Sequence, residues 1–145
     1  MAFALAADVA LIVFGSGMLS LATDRDVIDT PGLGPVPGPL AFGAAALAFA
    51  GALWPALRAD RPRYTAVIPV ALVSALVHLA ALWILALVFG ADLATATAAV
   101  GEAATSWTSA VVAGAAAVSG WAAIAVRRTA AHRPQWPWER EDDDE

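Results

Sequence analysis

Polar residues are so sparse along this chain that they leave four long apolar runs, at about residues 2–22, 39–57, 66–89 and 107–126. Each run is close to the roughly 20 residues a helix needs to cross a bilayer. The first, as a helix, rises about 31 Å against a hydrocarbon core of about 30 Å. The pattern predicts an all-α polytopic membrane protein, a four-transmembrane-helix bundle within residues 1–126. Residues 127–145 are polar and charged, which predicts a mobile, disordered tail.

The connections differ in character. Residues 23–38 carry Asp24, Arg25, Asp26 and Asp29, then Pro31, Pro35 and Pro37 among glycines. Prolines and glycines at that density preclude a helix and favour an extended, turn-rich link. Pro39 fits the first turn of the second helix, where its missing N–H costs nothing. Residues 58–65 are short and basic, so spans two and three form an antiparallel hairpin. Residues 90–106 are mostly Ala and Thr with Asp92 and Glu102, and are read as a short surface helix broken at Gly101.

Composition narrows the class further. Hydrophobic residues make up 60% of the chain and charged residues 14%, against roughly 45–50% and 25% in soluble domains. A soluble protein of 145 residues lacks the interior to hide that much apolar side chain. Cysteine is absent, which excludes disulfides, thiolate nucleophiles and cysteine-ligated metals. Lysine is also absent and alanine fills 38 positions, a bias that points to a GC-rich bacterial genome. The net charge of −5 comes largely from the acidic run at 141–145.

Charge distribution sets the expected orientation. Arg58, Arg61 and Arg63 lie in the second connection, and Arg127, Arg128, Arg133 and Arg140 in the tail; only Arg25 lies across the pattern from them. The positive-inside rule then puts both termini and the second connection in the cytoplasm, with the chain in the cell membrane. Trp107 and Trp121 near the ends of span four, and Trp54 and Tyr64 around the hairpin, suit interfacial aromatics. Ser20-Leu21-Ala22 has the small-x-small form of a signal-peptidase site, but no basic region precedes the first span and Asp8 interrupts it. The first span is therefore read as retained.

Helices in lipid associate through small residues. In span two, Ala41, Ala44, Ala45, Ala48, Ala52 and Ala56 fall within one arc of about 120°, predicting a packing face. Phe42, Phe49 and Leu53 lie on another side, expected to face lipid or a partner. Span four is small almost all round, Gly114 included, and reads as the buried member of the bundle or as a docking helix.

Few residues are candidates for chemistry. His78 is the thirteenth residue of its run, about 18 Å deep by helical rise, near the midplane. Gly15, Ala45 and Gly114 are expected at similar heights, and Ser74 lies one turn before it on the same face. An ionisable residue at that depth normally faces the bundle interior and pairs. Its roles would be a proton relay, an ion site, a ligand contact, or a plain interhelical hydrogen bond. Asp8 lies about 9 Å into span one, where a carboxyl is protonated, paired or snorkelling. Arg58, Arg127 and Arg128 border the same face and are its expected partners; a direct bond to His78, about 9 Å away in height, is not expected. Asp24, Asp26 and Asp29 match no cation-loop spacing and read as a solvated turn. Trp136-Pro137-Trp138 reads as an interfacial anchor or a docking motif. Neither a phosphate-cradling glycine loop, a helical zinc motif nor a nucleophile elbow is present. No enzyme activity, catalytic residue, metal, cofactor or nucleic-acid partner is therefore expected.

The stretch at 24–40 (DRDVIDTPGLGPVPGPL), the arginine-bounded spans and the tail segment at 133–139 (RPQWPWE) resemble small four-span actinobacterial membrane proteins of unknown function. The resemblance covers the whole layout and implies no activity and no site residue. Two functions remain from the residues themselves. One is a non-enzymatic helper or subunit that packs with other membrane proteins or with copies of itself in the lipid bilayer. The other is a small transporter, or a proton- or ion-conducting oligomer, using His78.

Overall fold

The structure, a computed structural model, describes residues 1–24, 35–59 and 62–130. They form five α-helices, with no strand among the described residues: α1 (Ala2–Thr23), α2 (Pro37–Arg58), α3 (Val67–Val88), α4 (Leu93–Thr105) and α5 (Trp107–Ala130). All but α4 are long and apolar enough to cross a membrane. The fold is all-α, the bundle of a polytopic membrane protein. One end, here the terminal end, holds the start of α1, the α2–α3 connection and the end of α5. The distal end holds the end of α1, the start of α2, and α4.

Local chemistry explains the helix ends. Pro37 opens α2 at its first turn, where a missing N–H is harmless, two residues before the expected start. Pro69 likewise falls in the first turn of α3, after a short 3-10 turn at Tyr64–Ala66. At the far end of α3, Gly90 takes φ 91°, Ala91 N–H donates to Ala86 O (3.0 Å) and Gly90 N–H to Leu87 O (3.1 Å). This is the paired closure that a left-handed glycine permits. Asp92 then caps α4: its Oδ1 accepts from Thr95 N–H at 2.8 Å. The cap and the packing of Ala96, Ala99 and Ala103 on Leu82 and Ala86 hold α4 as one helix through Gly101. The expected break does not occur, because Gly101 is exposed and helical glycine costs only about 1 kcal/mol. Ser106 joins α4 to α5 in a single residue, its Oγ accepting from Thr108 N–H at 3.2 Å. Helix α5 runs to Ala130, so Arg127 and Arg128 are helical. Arg133, Arg140 and the Trp136-Pro137-Trp138 segment lie outside the described residues, as do Arg61, Arg25, Asp26 and Asp29.

Around the bundle, α1 packs on α5, α5 on α3 and α3 on α2, while α1 barely meets α2. The interior does not follow the alanine face of α2. Phe49 and Leu53, expected outside, are fully buried. They lie against α5 beside Gly120, where an added Cβ would make only ordinary van der Waals contact with them, at 3.7 and 3.9 Å. Val70 of α3 and Ala116 of α5 join them in one buried cluster, and close packing is what holds helices together in lipid. Ala41 and Ala45 are buried, whereas Ala44, Ala48, Ala52 and Ala56 are half-buried. Gly114, expected to mediate packing, is exposed, with open space where its side chain would be. The close approach of α5 to α1 is made instead at Gly15, where a Cβ would come within 2.9 Å of Val111 Cγ1.

Candidate functional site: buried polar groups in the bundle

Each long helix presents one stripe to the interior, and the stripes carry the polar residues inward. On α1 the stripe is Ala4, Asp8, Ile12 and Ser16; on α3 it is Val70, Ser74, His78, Leu82 and Ala86. The four-residue spacing keeps these side chains on one face. Thr108 and Ser119 of α5 are buried with them.

His78 is fully buried and stacks on Phe42, ring centroids 4.7 Å apart. The Ala41 carbonyl approaches the imidazole without completing a hydrogen bond, and neither ring nitrogen has a partner among the described residues. Ser74 does not serve it: its hydroxyl donates back to Val70 O at 2.9 Å, the ordinary self-satisfaction of a helical serine. Asp8 is 1% exposed, with both carboxyl oxygens unpartnered among the described residues. The arginines expected to reach it do not. Arg58 lies over Trp54 at 4.5 Å and Arg128 over Tyr64 at 4.9 Å, while Arg127 is exposed. These cation–π pairs form an aromatic and arginine collar at the terminal end, which Trp121 joins by stacking on Tyr64 at 6.3 Å. Ser16 Oγ and Ser119 Oγ are also buried without a partner among the described residues.

The contacts fix the heights. Phe42 lies five residues into α2, so His78, though halfway along α3, sits in the distal third of the bundle rather than at its midplane. Helix α4 packs on the far part of α3 there, Ala96, Ala99 and Ala103 clustering with Leu82 and Ala86. The Gly15–Val111 approach puts Gly15 and Ser16 at the same distal level through α5. Asp8, about two turns below Gly15 and about 10 Å away along the axis, comes level with Ser119 in the middle of α5. Two polar layers result, Ser16 with His78 and Asp8 with Ser119. Ile12, buried between Asp8 and Ser16 on α1, separates them. Asp8 and His78 do not bond, as expected from their heights.

Above the Ser16 layer, a cleft of about 460 Å³ opens between the end of α1 and the α4–α5 joint. Ser16, Ser20 and Thr23 line it from α1, Glu102 and Thr105 from α4, and Ser106, Trp107 and Thr108 from the joint onward. Ser16 also lines an apolar groove of about 430 Å³ in the α1–α2 seam, with Ile12 and Phe42. It is thus the wall shared by a polar cleft and an apolar one.

The chain belongs to a family of unknown function, DUF6121. The family match covers residues 1–145. Comparison with curated proteins finds no match, and comparison with solved structures finds none.

Sequence reasoning made His78, Ser74 and Asp8 the candidate polar residues of the interior, with Asp8 at a different height from His78; all three are buried. It passed over Thr108, Ser119 and the distal cleft. One signal was available for Ser16: it stands two four-residue steps from Asp8. Ser119 carried none, since a serine in a run of Ala and Gly looks like one more small residue. Glu102 and Trp107 read as loop and interface because the sequence does not show α4 folding back toward the end of α1.

Proposed function

We propose that the chain is a non-enzymatic multi-pass protein of a bacterial cell membrane, with both termini cytoplasmic, that holds or passes protons or a small polar solute through its interior. The observation carrying this reading is the set of four buried side chains without a partner among the described residues, Asp8, Ser16, His78 and Ser119. Burying such a group without a hydrogen bond costs about 1–3 kcal/mol each, and polar groups kept at membrane depth against that cost mark solute and proton pathways. Ser16 and His78 form the distal station and Asp8 with Ser119 the inner one. Ile12 closes the step between them. The orientation is supported by Arg58, Arg63, Arg127 and Arg128 at the terminal end and by Asp24, Asp92 and Glu102 at the distal end.

The test is flux in proteoliposomes of the full chain, read with an internal pH dye. Wild type should exceed protein-free vesicles, His78→Ala and Asp8→Asn should abolish the excess, and Ile12→Ser should raise it. Unchanged flux in both loss variants would sink the reading.

The helper reading keeps one specific observation in its favour. Helix α1 hangs on α5 and leaves the α1–α2 seam open as an apolar groove lined by Val9, Ile12, Val13, Phe42 and Ala46. A partner membrane helix in that seam would complete the ring of contacts. Co-purification in mild detergent tests it: a stoichiometric partner lost on Gly43→Leu supports it, and a lone monomer in native membranes rejects it.

A further inference from the structure

We propose that the α1–α5 seam at the terminal end holds an anionic phospholipid, its phosphate on Arg127 and one acyl chain in the seam. The inference rests on the chain lying in a bilayer and not on conduction. The seam opens there as a slot of about 250 Å³. Along α5 it runs from Ser119, buried at the floor, to Arg127, exposed at the mouth. Eight residues of helix make that depth about 12 Å. Its walls are Ala4 and Ala7 of α1, Ala122 of α5 and Leu57 from the end of α2. Small side chains on the two facing helices leave the space. The lips are Phe3 and Val126, 80% and 62% exposed. Exposed large apolar groups beside a slot turn it toward acyl chains rather than water. The volume is below the roughly 300–1,000 Å³ of sites that enclose a whole small molecule. It suits one chain of a ligand whose remainder lies outside.

The charge at the mouth selects the headgroup. Arg58 lies over Trp54 and Arg128 over Tyr64, so both of those guanidinium groups sit on rings. Arg127 lines the slot and makes no hydrogen bond, ion pair or ring contact among the described residues. A long basic side chain at a helix end lays its stem on apolar surface and lifts its charge to the interface, the level of lipid phosphates. A guanidinium takes a phosphate through two parallel N–H bonds. Basic pockets between membrane helices hold lipid headgroups in this way. A net-negative headgroup brings no ammonium of its own to the site, so phosphatidylglycerol fits better than phosphatidylethanolamine. Arg58, Arg63 and Arg128 at the same end add to the attraction.

The test is native mass spectrometry of the full-length chain from mild detergent, titrated with phosphatidylglycerol or phosphatidylethanolamine of the same acyl chains. One phosphatidylglycerol per chain should be held roughly tenfold more tightly than phosphatidylethanolamine, the worth of one charge-assisted contact. Arg127→Gln, at an exposed position, should abolish that preference, and Arg128→Gln should keep it. Ala7→Leu fills the slot and should weaken both lipids with the preference intact. Replacing the acidic residues at 141–145 with Asn and Gln should leave the affinity unchanged. Equal binding of the two lipids by the wild type, or a preference that survives Arg127→Gln, overturns the headgroup contact. Equal losses in Arg127→Gln and Arg128→Gln would replace the site with a diffuse ring of charge and overturn it too. Full affinity in Ala7→Leu overturns the slot. A preference that appears only after residues 141–145 are neutralised gives Arg127 to the chain's own carboxylates and overturns the lipid. Lipid retention and proton flux are read separately, so either reading can fail alone.

Discussion

The imidazole of His78 lies against the ring of Phe42 with centroids 4.7 Å apart and planes 25° apart. It is held by stacking in a place where its nitrogens have no partner among the described residues. Shape and polarity therefore make opposite contributions at one position. His78→Phe keeps an aromatic ring on Phe42 and removes two unpaired polar atoms. Thermal melting in detergent should be unchanged or higher, by up to about 2 kcal/mol, while flux is lost. A clear drop in melting temperature would mean that the working protein hydrogen-bonds this ring.

The α1–α5 contact gives a sharper packing test. A methyl group on Gly15 would meet Val111 Cγ1 at 2.9 Å, whereas one on Gly17 meets nothing within 4 Å. Valine is β-branched and has little freedom to turn away in a helix, so the helices themselves must part. Gly15→Ala should cost about 1–3 kcal/mol, and Gly17→Ala should be neutral or gain up to about 1 kcal/mol of helix propensity. Val111→Ala added to Gly15→Ala should recover most of the loss. Additive effects in that double-mutant cycle, read by melting in detergent, would disprove the contact.

What the sequence could and could not disclose follows from the solvent. The four long helices are legible because length and apolarity are what lipid demands, and His78 and Asp8 stand out because polar residues break apolar runs. The inward side of α2 is not legible. Lipid and protein interior are equally apolar, so hydrophobicity says nothing about where Phe49 and Leu53 point. Their place is set by partners on other helices, Val70 and Ala116, which no pattern within α2 records. Pairing was also beyond reach: Ser74 was expected to meet His78 but satisfies itself on Val70, and the arginines expected at Asp8 lie over Trp54 and Tyr64.

Acid should loosen α4 before the rest of the bundle. The Thr95 N–H and hydroxyl hydrogen bonds hold the Asp92 carboxyl below its ordinary value of 3.8. A group depressed on folding stabilises the fold above its unfolded value and loses that contribution as pH falls through the folded one. Hydrogen exchange of the α4 amides should thus be flat from neutral pH to about pH 5 and show loss of protection only below about pH 4, after correction for intrinsic rates. Asp92→Asn keeps a cap without the titration, so its protection should not depend on pH in that window. Asp92→Ala should expose the first turn at every pH. Equal pH dependence in wild type and Asp92→Asn would assign the effect to another group.

Orientation can be decided cleanly because the chain has no cysteine of its own. Thr65 is exposed at the terminal end, and Ala94 is exposed in the first turn of α4 at the distal end. With the arginine-rich end in the cytoplasm, a membrane-impermeant maleimide added to intact cells should label Ala94→Cys and spare Thr65→Cys. Permeabilising the membrane should make Thr65→Cys reactive. The reverse pattern would invert the proposed topology and turn the distal cleft toward the cytoplasm. If charge is the determinant, replacing Arg58, Arg61 and Arg63 with Gln should leave Arg127 and Arg128 as the main anchors of the terminal end and produce a mixed population. Labelling of both sites in that variant, but of only one in wild type, would tie the orientation to those arginines.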